Sequence, residues 1–182
     1  MKRYIALLRG INVGGHRPLK MDDLKVLCRT LGLENVSTYI QSGNVFFDAH
    51  DKLSSEDLST MLKEAIAEKY DYDVPVIVLP APLLETIKNN NPYLKAGADP
   101  KLLHVTFLGN APESSLVQLA KSKTTDEDQI EVEGQVAYLK ISGSYHKTKL
   151  SNQFFEQQLQ TTATTRNWKT VLKLATMTQS DK

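Results

Sequence analysis

The sequence predicts an α+β fold made of two successive units of strand, helix and hairpin, and three observations carry that reading. Residues 1–80 present periodic segments in the order strand, helix, strand, strand, helix, strand. The first strand, Tyr4–Leu8, is apolar at every position, so it has no solvent face and belongs in the middle of a covered sheet. The fourth, Val74–Leu79, contains Pro75, which has no N–H to give to a ladder and so belongs at an edge. The β-α-β-β-α-β order is that of the ferredoxin-like fold, or α-β plait, in which the first and third strands are central and the fourth is an edge. A doubly apolar strand and a proline, two unrelated features, thus agree on one topology.

Local signals place each element. A helix after Lys20 carries Leu24, Leu27, Cys28 and Leu31 at the i, i+3, i+4, i+7 spacing of one buried face. Asp22 and Asp23 suit its positive N-terminal end, and Gly32 suits its stop. Cys28 falls on the apolar stripe, which makes it a core residue rather than a nucleophile. Val36–Gln41 and Asn44–Asp48 form a hairpin that turns at Ser42-Gly43. The next helix starts at Ser54, with Asp57 three residues on completing a capping box, and buries Leu58, Met61, Leu62, Ala65 and Ile66.

Residues 81–182 repeat much of this order. Pro82 opens a short helix (Leu83, Leu84, Ile87) that stops at Asn89-Asn90-Asn91-Pro92, and Ala96–Pro100 is a loop. Leu102–Leu108 is a strand, and Pro112 opens a helix with Leu116, Val117 and Ala120. Ile130–Glu133 and Gln135–Ile141 pair about Gly134, and a helix runs through Phe154, Phe155 and Leu159. The last helix is expected from Thr165, with Trp168, Val171, Leu172 and Ala175 on its buried face. The second unit is therefore expected to be an incomplete ferredoxin-like unit, its closing strand replaced by helix. No residue-by-residue repeat joins the halves. The expected domains are 1–80 and 81–182.

The 182 residues, 41% hydrophobic and 24% charged, have the balance of a globular protein. No apolar stretch approaches the roughly 20 residues that cross a bilayer. Tyr4–Leu8, after the basic Met1-Lys2-Arg3, is too short for a signal peptide. The single cysteine excludes an internal disulfide. A cytoplasmic protein with no membrane partner is the expectation.

Charge is uneven along the chain. Residues 1–21 carry five bases (Lys2, Arg3, Arg9, Arg17, Lys20) and no acid, and residues 140–182 carry seven bases against two acids. The middle then holds ten bases against nineteen acids. If the two ends meet in the fold, they form a cationic region on an acidic body. Gly10-Ile11-Asn12-Val13-Gly14-Gly15 follows a strand and precedes a helix, a setting that suits a backbone cradle for an oxyanion. Its spacing matches neither the Walker loop nor the dinucleotide pattern, so no cofactor is implied. A plain glycine-rich crossover is the alternative. Gln41, Ser42 and Asn44 at the hairpin tip are expected at the opposite end of the sheet from that loop, and hence apart from it.

Thr164-Thr165-Arg166-Asn167-Trp168 reads as a capped helix start, with Arg166 offering a planar fork to a carboxylate or phosphate. Lys147-Thr148-Lys149 is a basic loop able to clamp an anion or simply to be solvated. Asp126, Glu127, Asp128, Glu131 and Glu133 read as an exposed acidic face. The four histidines, His16, His50, His104 and His146, have no metal-ligand spacing, and no metal is expected. No Ser-His-Asp or Cys-His arrangement emerges.

The segments YIALLRGINVGG, TYIQSGNVFF, YLKISG from Tyr138 with its following lysine, and TTRNWKTVLKL from Thr164 resemble a bacterial family of uncharacterised proteins, domain of unknown function 1697. The resemblance runs nearly end to end. It implies a pair of ferredoxin-like units, and it brings no reaction, cofactor or catalytic residue.

Four functions follow for test. The first is binding of a small anionic, phosphate-bearing ligand by Arg9, Asn12, Gly14, Gly15, Lys149, Arg166 and Asn167. The second is nucleic-acid binding, which shares the strand order but needs aromatics on an open sheet face. The third is a small enzyme with Arg9 and Arg166 as clamps, for which no general base presents itself. The fourth is a structural or interaction protein whose motifs serve packing.

Overall fold

In the computed structural model, which describes residues 1–179, the first strand, β1 (Lys2–Leu8), takes the middle of a four-stranded antiparallel sheet. The chain divides after Leu83 into two compact units. The first continues with α1 (Met21–Thr30), β2 (Glu34–Tyr39), β3 (Asn44–Ala49), α2 (Ser55–Tyr70) and β4 (Val76–Pro80), in the sheet order β2-β3-β1-β4. Ile5 of β1 stands between Phe46 and Leu79. One face of this sheet (Tyr4, Ala6, Leu8, Val45, Phe47, Val76, Val78) closes a core with Leu24, Leu27 and Cys28 of α1 and Leu58, Leu62 and Ile66 of α2. Side chains of the other face, Ile5, Leu7, Phe46, Ile77 and Leu79, are also buried, as an unalternating strand requires. Each such leucine or phenylalanine contributes about 1.5–3 kcal/mol of transfer free energy. Met61 and Ala65 are only partly buried at the margin of this core.

The capping box forms as the residues dictate: the Ser54 hydroxyl accepts from the Asp57 N–H at 3.1 Å, and the Ser54 N–H donates to the Asp57 carboxylate at 2.9 Å. β4 is an edge strand, and Pro75 sits just before it. Burial pushes the Cys28 thiol up to about 12, so it packs as a small hydrophobe.

The second unit's fold contains α3 (Leu83–Asn90), α4 (Pro92–Lys95), β5 (Leu103–Leu108), α5 (Ser114–Ser122), β6 (Gln129–Glu133), β7 (Val136–Lys140), α6 (Asn152–Leu159), β8 (Ala163–Asn167) and α7 (Trp168–Gln179). Its sheet order, β6-β7-β5-β8, is that of the first unit. The expected incompleteness is therefore corrected: the closing strand exists, and α7 follows it as an addition.

β8 pairs antiparallel with β5, placing Thr165 opposite Thr106 and Ala163 opposite Leu108. It hides in the sequence because it is built from threonine, alanine and arginine rather than from large apolar residues. Threonine suits a strand as well as a helix cap. Its polarity is absorbed by a hydroxyl pair, Thr106 to Thr165 at 2.7 Å, and by Thr165 donating to Asn152 Oδ1 at 2.8 Å. The last helix begins at Trp168, not Thr165, and its phase shifts accordingly: Trp168, Val171, Leu174 and Ala175 are buried while Leu172 is exposed. Leu108, Ala120, Ile130, Ala137, Leu139, Phe155 and Leu159 form the core beneath α5 and α6. Among the described residues, no helix is long and apolar enough to cross a membrane.

Candidate functional site

The turn that follows β1 is a miniature hairpin. The His16 N–H donates to the Val13 carbonyl at 2.9 Å, and the Asn12 N–H donates to the Arg17 carbonyl at 3.2 Å. Gly14 (φ 57°) and Gly15 (φ 77°) occupy the two left-handed corners, the form that Gly-Gly adopts without cost. Asn12 and Arg17, which bracket it, are also left-handed at φ 55° and 47°. The Asn12 amide fastens the whole loop. Its Nδ2 donates to the Leu19 carbonyl at 2.8 Å and to the Gln41 carbonyl at 2.9 Å, and its Oδ1 accepts from the Leu19 N–H at 2.8 Å. The N–H groups of Gly14 and Gly15 meet no acceptor among the described residues.

The Asn12–Gln41 bond corrects one expectation. β1 and β2 are both antiparallel to β3, so they run the same way, and the tip after β2 lies at the end where β1 exits. The two motifs therefore adjoin instead of occupying opposite ends. Gly43 shows how closely: a Cβ there would stand 2.6 Å from Leu8 Cβ and 2.9 Å from Ile11 Cδ1. Asn44 Nδ2 braces the tip on the Tyr39 carbonyl and the Ser42 hydroxyl, both at 3.0 Å. The Tyr72 hydroxyl reaches the Pro18 carbonyl at 3.4 Å.

Charge gathers on this end. Arg9 is half-buried at its base, and His16, Arg17 and Lys20 are exposed. The Arg17 guanidinium lies across Gly10, with Nη1 3.2 Å from where a Cβ would be. No carboxylate among the described residues pairs with it. Val13 is 64% exposed and Ile40 48% exposed, and Ile40 holds φ at 50°.

Arg9, Asn12, Gly14 and Gly15 are thus brought into one loop of the first unit; Lys149, Arg166 and Asn167 belong to the second. Arg166 is buried on β8, and its Nη1 donates to the Thr164 hydroxyl at 2.9 Å and the Thr165 carbonyl at 3.0 Å. Burial draws its guanidinium down to about 10, with Tyr145 nearby opposing the shift, so it stays cationic at neutral pH. Asn167 is the N-cap of α7, its Oδ1 accepting from the Thr170 N–H at 2.8 Å. Lys149 is exposed. His104 stacks on Tyr145 with ring centroids 4.8 Å apart, and burial holds its imidazole below the usual range.

Asp126, Glu127, Glu131 and Glu133 are exposed, as expected, and Asp128 alone departs from that acidic face. It accepts from the Ser142 N–H at 2.9 Å, the Ser142 hydroxyl at 3.2 Å and the Thr148 hydroxyl, and so ties down the loop that carries Lys149. Sequence reasoning gave no weight to Arg17 at the turn and missed the packing duty of Gly43. The glycine's place in a turn was visible; its contact with β1 was not.

Among the described residues, no group of three or more His, Cys, Asp or Glu side chains is arranged to hold a metal ion. Comparison with curated proteins gives no match. The solved structure of "conserved bacterial protein SP0830 from Streptococcus pneumoniae" is similar, with a TM-score of 0.74 and 28% identity over 97% of this chain and 98% of that one. Residues 1–138 match the model of the family described as "Protein of unknown function (DUF1697)". The match covers most of the sequence, from β1 through the first residues of β7, and the chain belongs to that family.

Proposed function

We propose that the protein binds a small phosphate-bearing anion at the cationic end of its first sheet. Arg9 and Asn12 shape the loop there, and Gly14 and Gly15 offer two N–H groups. The observation that carries this reading is the miniature hairpin itself. It is fastened by three hydrogen bonds of the Asn12 side chain, and among the described residues its two glycine N–H groups meet no acceptor and Arg17, held in a strained left-handed conformation, meets no carboxylate. Donors fixed in advance bind an oxyanion without a further ordering cost. Of the second-unit residues, Lys149 is the exposed cation, whereas Arg166 and Asn167 fix β8 and start α7.

A thermal-shift series with inorganic phosphate, pyrophosphate and nucleotides at millimolar concentration tests this, since a ligand at 100 Kd adds about 2.7 kcal/mol of stability. Arg17→Gln is expected to abolish the shift and Lys149→Gln to leave it. No anion raising Tm, or a shift that survives Arg17→Gln, defeats the reading.

A second reading, of a structural or interaction role, draws on the same bonds. Asn12 spends every polar atom of its side chain on the loop and the adjoining hairpin tip, and Gly43 is demanded by packing against Leu8 and Ile11. Nucleic-acid binding has less support. It asks for an open sheet face, and the middle of the face turned away from α1 and α2 is closed by buried Ile5, Leu7, Phe46, Ile77 and Leu79, with the half-buried Arg3, Ser37, Tyr39 and Asp48 toward its β2 side.

A further inference from the structure

Ile40 is in the wrong conformation for its side chain. A β-branched residue at φ 50° is an outlier, strained against a residue that tolerates the left-handed region. Neither packing nor solubility offsets this cost, because nearly half of the side chain is exposed. Asparagine would sit there with less strain and better hydration. Val13 is a second apolar side chain set out in water, on the shoulder of the Gly14-Gly15 turn.

The two are displayed by adjoining loops, because their chain neighbours Asn12 and Gln41 share a hydrogen bond of 2.9 Å. Arg17 closes the same miniature hairpin. A site that needed only to hold inorganic phosphate would have no use for either apolar group.

We infer that the anion taken at this loop is a phosphate ester of an apolar group, with Arg17 and the turn N–H groups meeting the phosphate and Val13 and Ile40 meeting the alkyl or aryl body. The inference rests on the anion-binding reading above and specifies its ligand. The same chemistry occurs in a soluble ester and in a lipid headgroup with its first methylenes, so the experiment separates the two.

Titration calorimetry of the full chain compares inorganic phosphate with hexyl phosphate, and sedimentation with phosphatidylcholine vesicles, with and without phosphatidic acid, forms a second arm. Hexyl phosphate is expected to bind about tenfold tighter than inorganic phosphate, the worth of partial contact with two or three methylenes. Ile40→Asn is expected to bring that ratio close to one, to leave the inorganic phosphate Kd unchanged and to raise Tm. Arg17→Gln is expected to weaken both ligands. Co-sedimentation that requires phosphatidic acid and Ile40 marks the lipid source, and binding of hexyl phosphate alone marks the soluble one. Equal affinity for the two phosphates, or a ratio that Ile40→Asn leaves intact, overturns the inference while the anion site stands. If neither phosphate binds, the anion site falls as well.

Discussion

The two units share a scaffold down to single backbone bonds and differ in where they spend their loops. At the end of β1, the Leu8 N–H donates to the Gly43 carbonyl in the hairpin turn and the Arg9 N–H to the Pro75 carbonyl just before the last strand, at 2.8 and 3.0 Å. At the end of β5, the Leu108 N–H donates to the Gln135 carbonyl and the Gly109 N–H to the Thr162 carbonyl, both at 2.9 Å. The same two bonds close the same sheet end twice. Yet residues 9–20 join β1 to α1, whereas residues 109–113 suffice between β5 and α5. After the third strand the inequality reverses: residues 50–54 serve the first unit and 141–151 the second. The short versions show that this fold asks for neither long loop. Each long loop is therefore an addition, and each has its own fastening: the Asn12 amide within the first, and for the second the Asp128 carboxylate, which holds it from just before β6.

The sharpest break in the comparison comes at the hairpin turns. Gly43 (φ 78°) packs against Leu8 and Ile11, while Gly134 (φ 56°) of the second unit has nothing within 4 Å of its Cβ position. Gly43→Ala is expected to cost about 3 kcal/mol, left-handed strain plus overpacking, and Gly134→Ala about 1 kcal/mol, the strain alone. Urea unfolding midpoints of the two variants measure this. Equal losses would show that the first hairpin is not seated on β1 in the way described.

Next in size is the pin on the first long loop. Asn12→Ala removes three hydrogen bonds and puts alanine at φ 55°, for an expected loss of about 2–3 kcal/mol. Asn12→Gly keeps the backbone at ease and so isolates the hydrogen-bond share. In the short counterpart loop, Asn110→Ala gives up mainly the bond that its Oδ1 accepts from the Thr161 hydroxyl at 2.6 Å, on an exposed residue, for about 1 kcal/mol or less. A parity of the two alanine variants would mean that the long loop is as dispensable to stability as the short one.

The same contrast explains what the sequence made legible. β1 could be read because an unbroken apolar run admits only a covered, central place in the sheet, and β4 is the edge strand that Pro75 suggested although the proline itself stands just before it. β8 could not, because its inward positions are alanine and threonine, whose burial depends on hydroxyl partners on β5 and α6. The glycine turn was readable as a turn, and its arginine as a cation. The duties of Asn12 and Asp128 were not, since each depends on an acceptor or donor brought close by the sheet: Gln41 for the first, Ser142 and Thr148 for the second. A chain read for spacing shows what a segment is, and the topology decides what it touches.

The smallest effect distinguishes the two fastenings by chemistry. An amide does not titrate and a carboxylate does. Burial opposes ionisation of Asp128, but the Thr148 hydroxyl and the N–H and hydroxyl of Ser142 together hold its carboxyl below the usual carboxylate value. The folded state thus prefers the charged form. Its contribution is complete above the ordinary carboxylate range and disappears as the pH falls through the lowered value. At pH 7, Asp128→Asn is expected to cost about 1 kcal/mol, modest because the group is partly solvated. That gap should begin to narrow below pH about 4, where the carboxylate of the unfolded chain takes up a proton before the folded one does. The gap made by Asn12→Ala should be the same at both pH values. Urea midpoints of the wild type and the two variants at pH 7 and pH 3.5 decide it. An Asp128→Asn gap as wide at pH 3.5 as at pH 7 would mean that the loop of residues 141–151 is held by something other than that charge.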